Sequence, residues 1–256
     1  MNKQAGQPDT SKVAGRNAVL EILKSGQQID TLFIASDEDG GSLSMLVAKA
    51  KAQGAVIKQV NRQKLDFLCG GLNHQGVVCS LCQVEYATVE ELLMAAKESG
   101  TLPFFVIADE IEDPHNLGAI IRTAECAGAN GIIIPERRGV SVTSAVYRAS
   151  AGAAAHIRIA RVVNLAAAID TLKKNNVWVF AADMDGQSWC QTDLKGSIAL
   201  VIGSEGKGVG RLIRQKCDGV ISLPLFGKVN SLNASVCAGI MLYEIARQRN
   251  NIKTID

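Results

Sequence analysis

The chain lacks the marks of several function classes. No stretch of its 256 residues reaches the ~20 apolar positions of a membrane span, and the polar N-terminus, Met1 to Lys12, has no apolar core of the kind a secretion signal needs. A cytoplasmic protein with no membrane partner is therefore expected. An excess of one charge is also missing: 27 Lys plus Arg stand against 25 Asp plus Glu, so bulk charge announces no polyanionic partner and nucleic-acid binding must be argued locally. Three histidines, His74, His115 and His156, show no metal-ligand spacing, and no metal is expected. The seven cysteines are odd in number and scattered, which suits reduced thiols better than a disulfide framework. Cys79 and Cys82 form a C-x-x-C, but in a strand-like run where positions three apart face opposite ways; both read as ordinary buried thiols.

What is present is a chain built to fold. Hydrophobic residues make up 47% and charged residues 20%, which excludes wholesale disorder. From Val13 to Val84, apolar runs at Thr31–Ala35, Ala55–Ile57 and Val77–Val84 alternate with amphipathic stretches, the pattern of a small α/β unit. A short connecting helix is predicted over Val89–Lys97, ending at Gly100. Beyond it, near-continuous apolar runs at Leu102–Ala108, Gly131–Pro135, Val177–Ala182, Ile198–Ile202 and Val220–Leu225 predict strands buried on both faces of a parallel sheet. The expected organisation is a domain over 1–85, a linker over 86–102 and a larger α/β domain over 103–256.

Three clusters carry candidate chemistry. The first, Asp113 to Ala124, leads into a helix whose buried stripe is Leu117, Ile120, Ile121 and Ala124, with Asn116 at the N-cap and Gly128 at the stop. Arg122 shares a face with Gly118, whose missing side chain leaves room to approach the guanidinium; the plainer reading is that Asn116 caps and Arg122 pairs with Glu125. The second cluster, Ile198 to Gly210, runs from a strand into the turn Gly203-Ser204-Glu205-Gly206-Lys207-Gly208, where backbone amides can approach a ligand. It is not G-x-G-x-x-G, because Arg211 stands where a third glycine is needed, and not a Walker A loop, because Gly208 offers magnesium no hydroxyl. The third cluster, Leu223 to Val236, crowds Asn230, Ser231, Asn233 and Ser235 at the start of an apolar helix, more than one N-cap requires. On the plainer reading Leu232 and Val236 are core residues and Gly239 a close-packing position.

In their order and separation, N-L-G-x-x-x-R-T-A, G-S-E-G-x-G and S-L-N-A-S resemble the SpoU/TrmH family of SPOUT RNA 2′-O-methyltransferases. The first 85 residues resemble the family's L30e-like substrate-binding domain, with Gly15-Arg16-Asn17-Ala18-Val19 and His74-Gln75-Gly76-Val77-Val78 in typical places. The resemblance implies a SPOUT α/β fold with a C-terminal trefoil knot, an obligate homodimer, and S-adenosylmethionine held in the knot around Gly203, Ile221, Leu223, Ser231 and Leu232. It assigns the chemistry to Arg122, with Asn116 holding substrate or orienting the arginine and Glu205, Ser231 and Asn233 shaping the pocket. Among family members the likeness is to those that methylate a guanosine ribose in the peptidyl-transferase P loop of 23S rRNA. Another rRNA or tRNA nucleotide, or a non-catalytic RNA-binding assembly role, is the alternative; a nicotinamide-dependent enzyme fits the fold class but lacks the phosphate-binding fingerprint.

The implied reaction asks a ribose hydroxyl, a poor nucleophile, to attack a sulfonium methyl, so catalysis must position the oxygen and remove its proton. Guanidinium groups hold their protons near neutrality, which leaves two versions: a deprotonated Arg122 as base, or a cation that binds phosphate and stabilises the developing alkoxide. RNA contacts are expected from Arg16 and Lys12 in the first domain, from Arg137, Arg138 and Arg148 near the site, and from Lys207 and Arg211. Target choice is expected to rest on RNA shape read by the N-terminal domain.

Overall fold

The computed structural model describes residues 12–25, 29–38, 40–81 and 85–252. The chain divides into two compact units, Met1–Val84 and Glu85–Asp256.

In the first unit, β1 (Lys12–Ala14), α1 (Arg16–Lys24), β2 (Ile29–Ala35), α2 (Gly41–Ala52), β3 (Val56–Val60), α3 (Arg62–Cys69) and β4 (Val77–Leu81) build a four-stranded sheet in the order β1-β4-β2-β3. Strand alternation divides the core between its two faces. Leu32, Ile34, Val77 and Cys79 pack with Val19 and Leu23 of α1 and Leu43 and Leu46 of α2, while Ala35 and Val78 pack with Leu65 and Cys69 of α3. Cys79 is a buried thiol as read from the sequence, its pKa pushed up to about 11 by desolvation. Cys82 lies outside the described residues.

The second unit opens with α4 (Val89–Glu98), where Thr88 and Glu91 form a reciprocal capping box. The sequence reading made this helix part of a linker; instead its stripe Val89, Leu92, Leu93 and Ala96 is buried in the same core as Phe105 and Ile107. The rest of the unit is β5 (Phe104–Ala108), α5 (Pro114–Cys126), β6 (Gly131–Pro135), α6 (Ser144–Ala149), a 3-10 turn (Ala153–Ala155), β7 (Arg158–Val162), α7 (Leu165–Lys174), β8 (Trp178–Ser188), β9 (Ile198–Ile202), α8 (Arg211–Lys216), β10 (Gly219–Ser222) and α9 (Ala234–Arg249). Six parallel strands run in the order β10-β8-β9-β5-β6-β7. The two central strands, β5 and β9, are buried at every position, as their unbroken apolar runs require. β7 carries no such run because it lies at the sheet edge, where Arg158 and Arg161 interrupt it. The run predicted to Leu225 pairs only as far as Ser222, and the chain from Leu223 to Asn233 is irregular. Among the described residues no helix is long and apolar enough to cross a membrane.

Candidate active site

Parallel strands send all their following loops to one edge of the sheet, and this brings the three clusters together. Ala108 of β5 and Ile202 of β9 stand side by side, so the loop entering α5 and the glycine-rich turn leave the sheet as neighbours. The turn closes on itself through reciprocal backbone bonds between Ser204 and Gly208, at 3.1 and 2.9 Å. Only glycine fits at its base, since a Cβ on Gly203 would lie 2.1 Å from the Gly208 carbonyl carbon. The far end is pinned where Gly210 N–H donates to the Asp109 carboxylate at 2.8 Å; burial pushes the Asp109 carboxyl above the usual carboxylate range.

Three side chains, one from each cluster, meet at this edge. Asn116 Nδ2 donates to Glu205 Oε1 at 2.7 Å, and Asn233 Nδ2 donates both to that same oxygen at 2.5 Å and to Asn116 Oδ1 at 2.9 Å. The remaining oxygen of Asn233 caps α9, accepting from Ser235 N, Ser235 Oγ and Val236 N. The N-cap of α5 is Asp113, not Asn116: its carboxylate accepts from His115 N, and Pro114 takes the first helical position, where a missing N–H costs nothing. Asn116 is thereby released for the cluster.

Two cavities flank it. One, of about 220 Å³, is lined by Gly203 to Gly208, by Asn230 and Ser231, and by the apolar Ile202, Leu223, Leu225, Leu232 and Met241. The other, of about 290 Å³, is walled by Glu110, Glu112, Asp113 and Asn116, and shares Ser204 to Lys207 and Ala234 with the first. Glu205 lies on both. Gly203, Leu223, Ser231 and Leu232 thus line the first cavity as a group, whereas the Ile221 side chain is buried in the sheet and does not line it. The cavity also takes in Asp183 and Cys237, which the sequence reading missed; burial raises the pKa of the Cys237 thiol. The signal for Asp183 was weak, an acid just past a predicted strand with its counter-ion far along the chain.

The arginines stand apart. Arg122 is exposed on α5, lines neither cavity, and has no hydrogen-bond or ion-pair partner among the described residues, so the pairing with Glu125 does not form. The space expected over Gly118 is filled, because a Cβ there would lie 2.4 Å from the Ala149 Cβ of α6. Leu232 and Val236, candidate core positions, are 38% and 50% exposed. Arg137, Arg138 and Arg148 are exposed, with Arg138 3.8 Å from Glu110. Arg16 is differently placed: its guanidinium donates to the Gln75 carbonyl, to Ser42 Oγ and to the Glu38 carboxylate.

Comparison with known proteins gives this geometry a lineage. The model described as "SpoU rRNA Methylase family" matches residues 103–243, and "RNA 2'-O ribose methyltransferase substrate binding" matches residues 12–87. YacO of Bacillus subtilis (strain 168), whose name places it in the TrmH family of tRNA/rRNA methyltransferases, is 48% identical over 241 residues, covering 94% of this chain and 96% of its own. A Staphylococcus aureus (strain MSSA476) protein with the same family name is 41% identical over 244 residues, covering 95% and 98%. Among solved structures, an AdoMet-bound rRNA methyltransferase from Sinorhizobium meliloti superposes with a TM-score of 0.56 at 27% identity, over 96% of this chain and 90% of that one. The SpoU methyltransferase AviRb from Streptomyces viridochromogenes, at 22% identity and a TM-score of 0.61 over 94% and 92% of the two chains, shares the fold. With its motifs gathered at one sheet edge and its relatives aligned along nearly its whole length, the chain belongs to the SpoU/TrmH family of RNA methyltransferases.

Proposed function

We propose that this protein transfers a methyl group from S-adenosylmethionine to the 2′-hydroxyl of a guanosine in the P loop of 23S rRNA, acting in the cytoplasm as a homodimer. The observation that carries the reading is the Asn116–Glu205–Asn233 cluster on the wall shared by two cavities, the first of them suited to the donor. The first cavity fits the donor chemically: its apolar side chains suit an adenine, and its glycine-rich backbone suits polar edges. When bound, the donor supplies a methyl group on a positively charged sulfur. Asn116, Glu205 and Asn233 hold one another in place and so keep the rim between the cavities rigid before substrate arrives. The proposal includes the trefoil knot that membership of the family implies.

Arg122 meets the ribose in this proposal, yet it lies outside both cavities of its own chain. A second copy reconciles the two. Val236, Ile240 and Tyr243 form an exposed apolar stripe on α9, which packs against α5 through Gly239 and Thr123. Burying that stripe against a partner brings Arg122 of one chain towards the site of the other. The test is to map ribose methylation across 23S rRNA with and without the gene and to repeat the transfer with purified enzyme and tritiated methyl donor. Loss of one P-loop guanosine methyl is expected. Methyl groups missing elsewhere would replace the target, and transfer to no RNA would overturn the reading.

A further inference from the structure

We propose that Asp183 binds the ribose hydroxyls of the methyl donor and that Arg214 is its positioning residue; this rests on reading the first cavity as the donor's. Asp183 lies where β8 leaves the sheet. Pairing with β9 ends at Ala182, and pairing with β10 jumps from Ala181 to Gln187 while β10 advances one residue, so residues 182–186 bulge out of the ladder. Bulges of this kind re-aim side chains beside functional sites. Here the bulge turns Asp183 into the cavity wall, with Ala182 and Met184 as its neighbours there. The glycine-rich turn closes against it: a Cβ on Gly208 would lie 3.5 Å from both carboxylate oxygens.

Two carboxylates line the cavity, and they differ in what they have left to give. Glu205 is engaged by Asn116 and Asn233. Asp183 accepts Met184 N on Oδ1 at 2.8 Å and Arg214 Nη1 on Oδ2 at 3.3 Å. An ionised carboxylate offers about four acceptor sites, so each oxygen retains capacity. The second Arg214 nitrogen donates to the exposed Asp185 at 2.7 Å, so the arginine spans the bulge and fixes the face Asp183 presents. The donor carries three kinds of N–H or O–H group: the ribose diol, the adenine amino group and the ammonium of its amino-acid tail. Two adjacent hydroxyls match two oxygens of one carboxylate. An ammonium would have to share that carboxylate with the Arg214 guanidinium, and like charges at such range repel, whereas the neutral diol carries no such penalty.

The test is binding to the purified, full-length enzyme by calorimetry, with three probes: S-adenosylhomocysteine, methylthioadenosine, which lacks the amino-acid tail, and its 3′-deoxy form. Asp183→Asn is expected to weaken the first two equally, by about 30-fold, the size of a lost charge-assisted hydrogen-bond pair. Removing the 3′-hydroxyl is expected to weaken binding to the unmodified enzyme and to cost nothing further in the variant. Arg214→Met is expected to weaken both full ligands about fivefold, with part recovered in Arg214→Lys. Unchanged affinity in Asp183→Asn, or weakening confined to S-adenosylhomocysteine, would overturn the assignment. Circular dichroism melting checks that the variant folds; if it does not, Asp183→Ser repeats the measurement, and the 3′-deoxy comparison on the unmodified enzyme stands by itself. Gly203→Ala separates the two readings. If it leaves S-adenosylhomocysteine binding intact, the cavity is not the donor's; if it abolishes binding while Asp183→Asn does not weaken it, only the present inference fails.

Discussion

At the rim between the cavities, Asn116, Glu205 and Asn233 answer one another's hydrogen bonds, while Arg122, Arg137 and Arg148 in the same unit have no side-chain partner among the described residues. The rim is finished within one chain, and its geometry is set before any ligand arrives. The arginines are left without such partners, and under the proposed function an anion or another chain completes them. Arg16 in the first unit shows the finished alternative for the same residue type: it is locked to Gln75, Ser42 and Glu38, and its role in the unbound protein is to hold the loop before β4.

The largest effect that separates these two kinds of region is expected at Arg122. Arg122→Ala should reduce methyl transfer by about a thousandfold or more, as removal of a transition-state contact does, while calorimetry shows S-adenosylhomocysteine affinity changed less than about threefold. A parallel loss of donor binding would mean that Arg122 belongs to the preformed rim after all. The next effect asks where Arg122 acts. Mixing inactive Arg122→Ala with inactive Asn233→Ala chains should restore activity to roughly a quarter of the unmodified level, since one site in a mixed dimer is intact. Ile240→Asp, which places a charge on the exposed α9 stripe, should give monomers in sedimentation and no transfer. Restoration failing while dimers persist would put Arg122 in its own chain's site.

A smaller effect is expected on the outer arginines. Arg137→Ala and Arg148→Ala should each flatten the salt dependence of RNA binding by about 0.7 to 0.9 in log–log slope, with little change in the target methylated. Arg16→Ala should instead lower the melting midpoint of the first unit, because it breaks three internal bonds.

The smallest effect lies away from the site, on the far end of α9. Buried Glu244 is held below its ordinary range, near 4.5, chiefly by Arg247 and also by Gln248, which in turn fixes Leu194 and Thr192. Glu244→Gln should cost about 2 kcal/mol at neutral pH, read from urea unfolding, as loss of a charge-assisted bond does. A lowered folded pKa means that this stability is present above the ordinary value and is lost as pH falls through the folded one. The difference between variant and parent should therefore close as pH falls below the ordinary glutamate value.

Much of this was legible in the residues. Central strands β5 and β9 could be read because burial on both faces demands unbroken apolar runs, and the three motifs could be read because each concentrates polar groups where core packing needs none. Strand β7 was not, since at an edge its arginines are tolerated; nor was the Asp113 cap, since Asn116 suits an N-cap equally well by type. The α4 stripe was visible, but a stripe states only that a helix is buried, not against what.

The sequence by itself determined the family, the strand-and-helix order and the side chains available for chemistry, because these depend on local periodicity and on residue type. Tertiary structure decided which of those side chains meet. Asn116, Glu205 and Asn233 are brought into contact only because parallel strands deliver their loops to one edge. Asp183 reaches the cavity only because β8 bulges there, and Arg122 stays outside it because a helix turns successive residues to different faces.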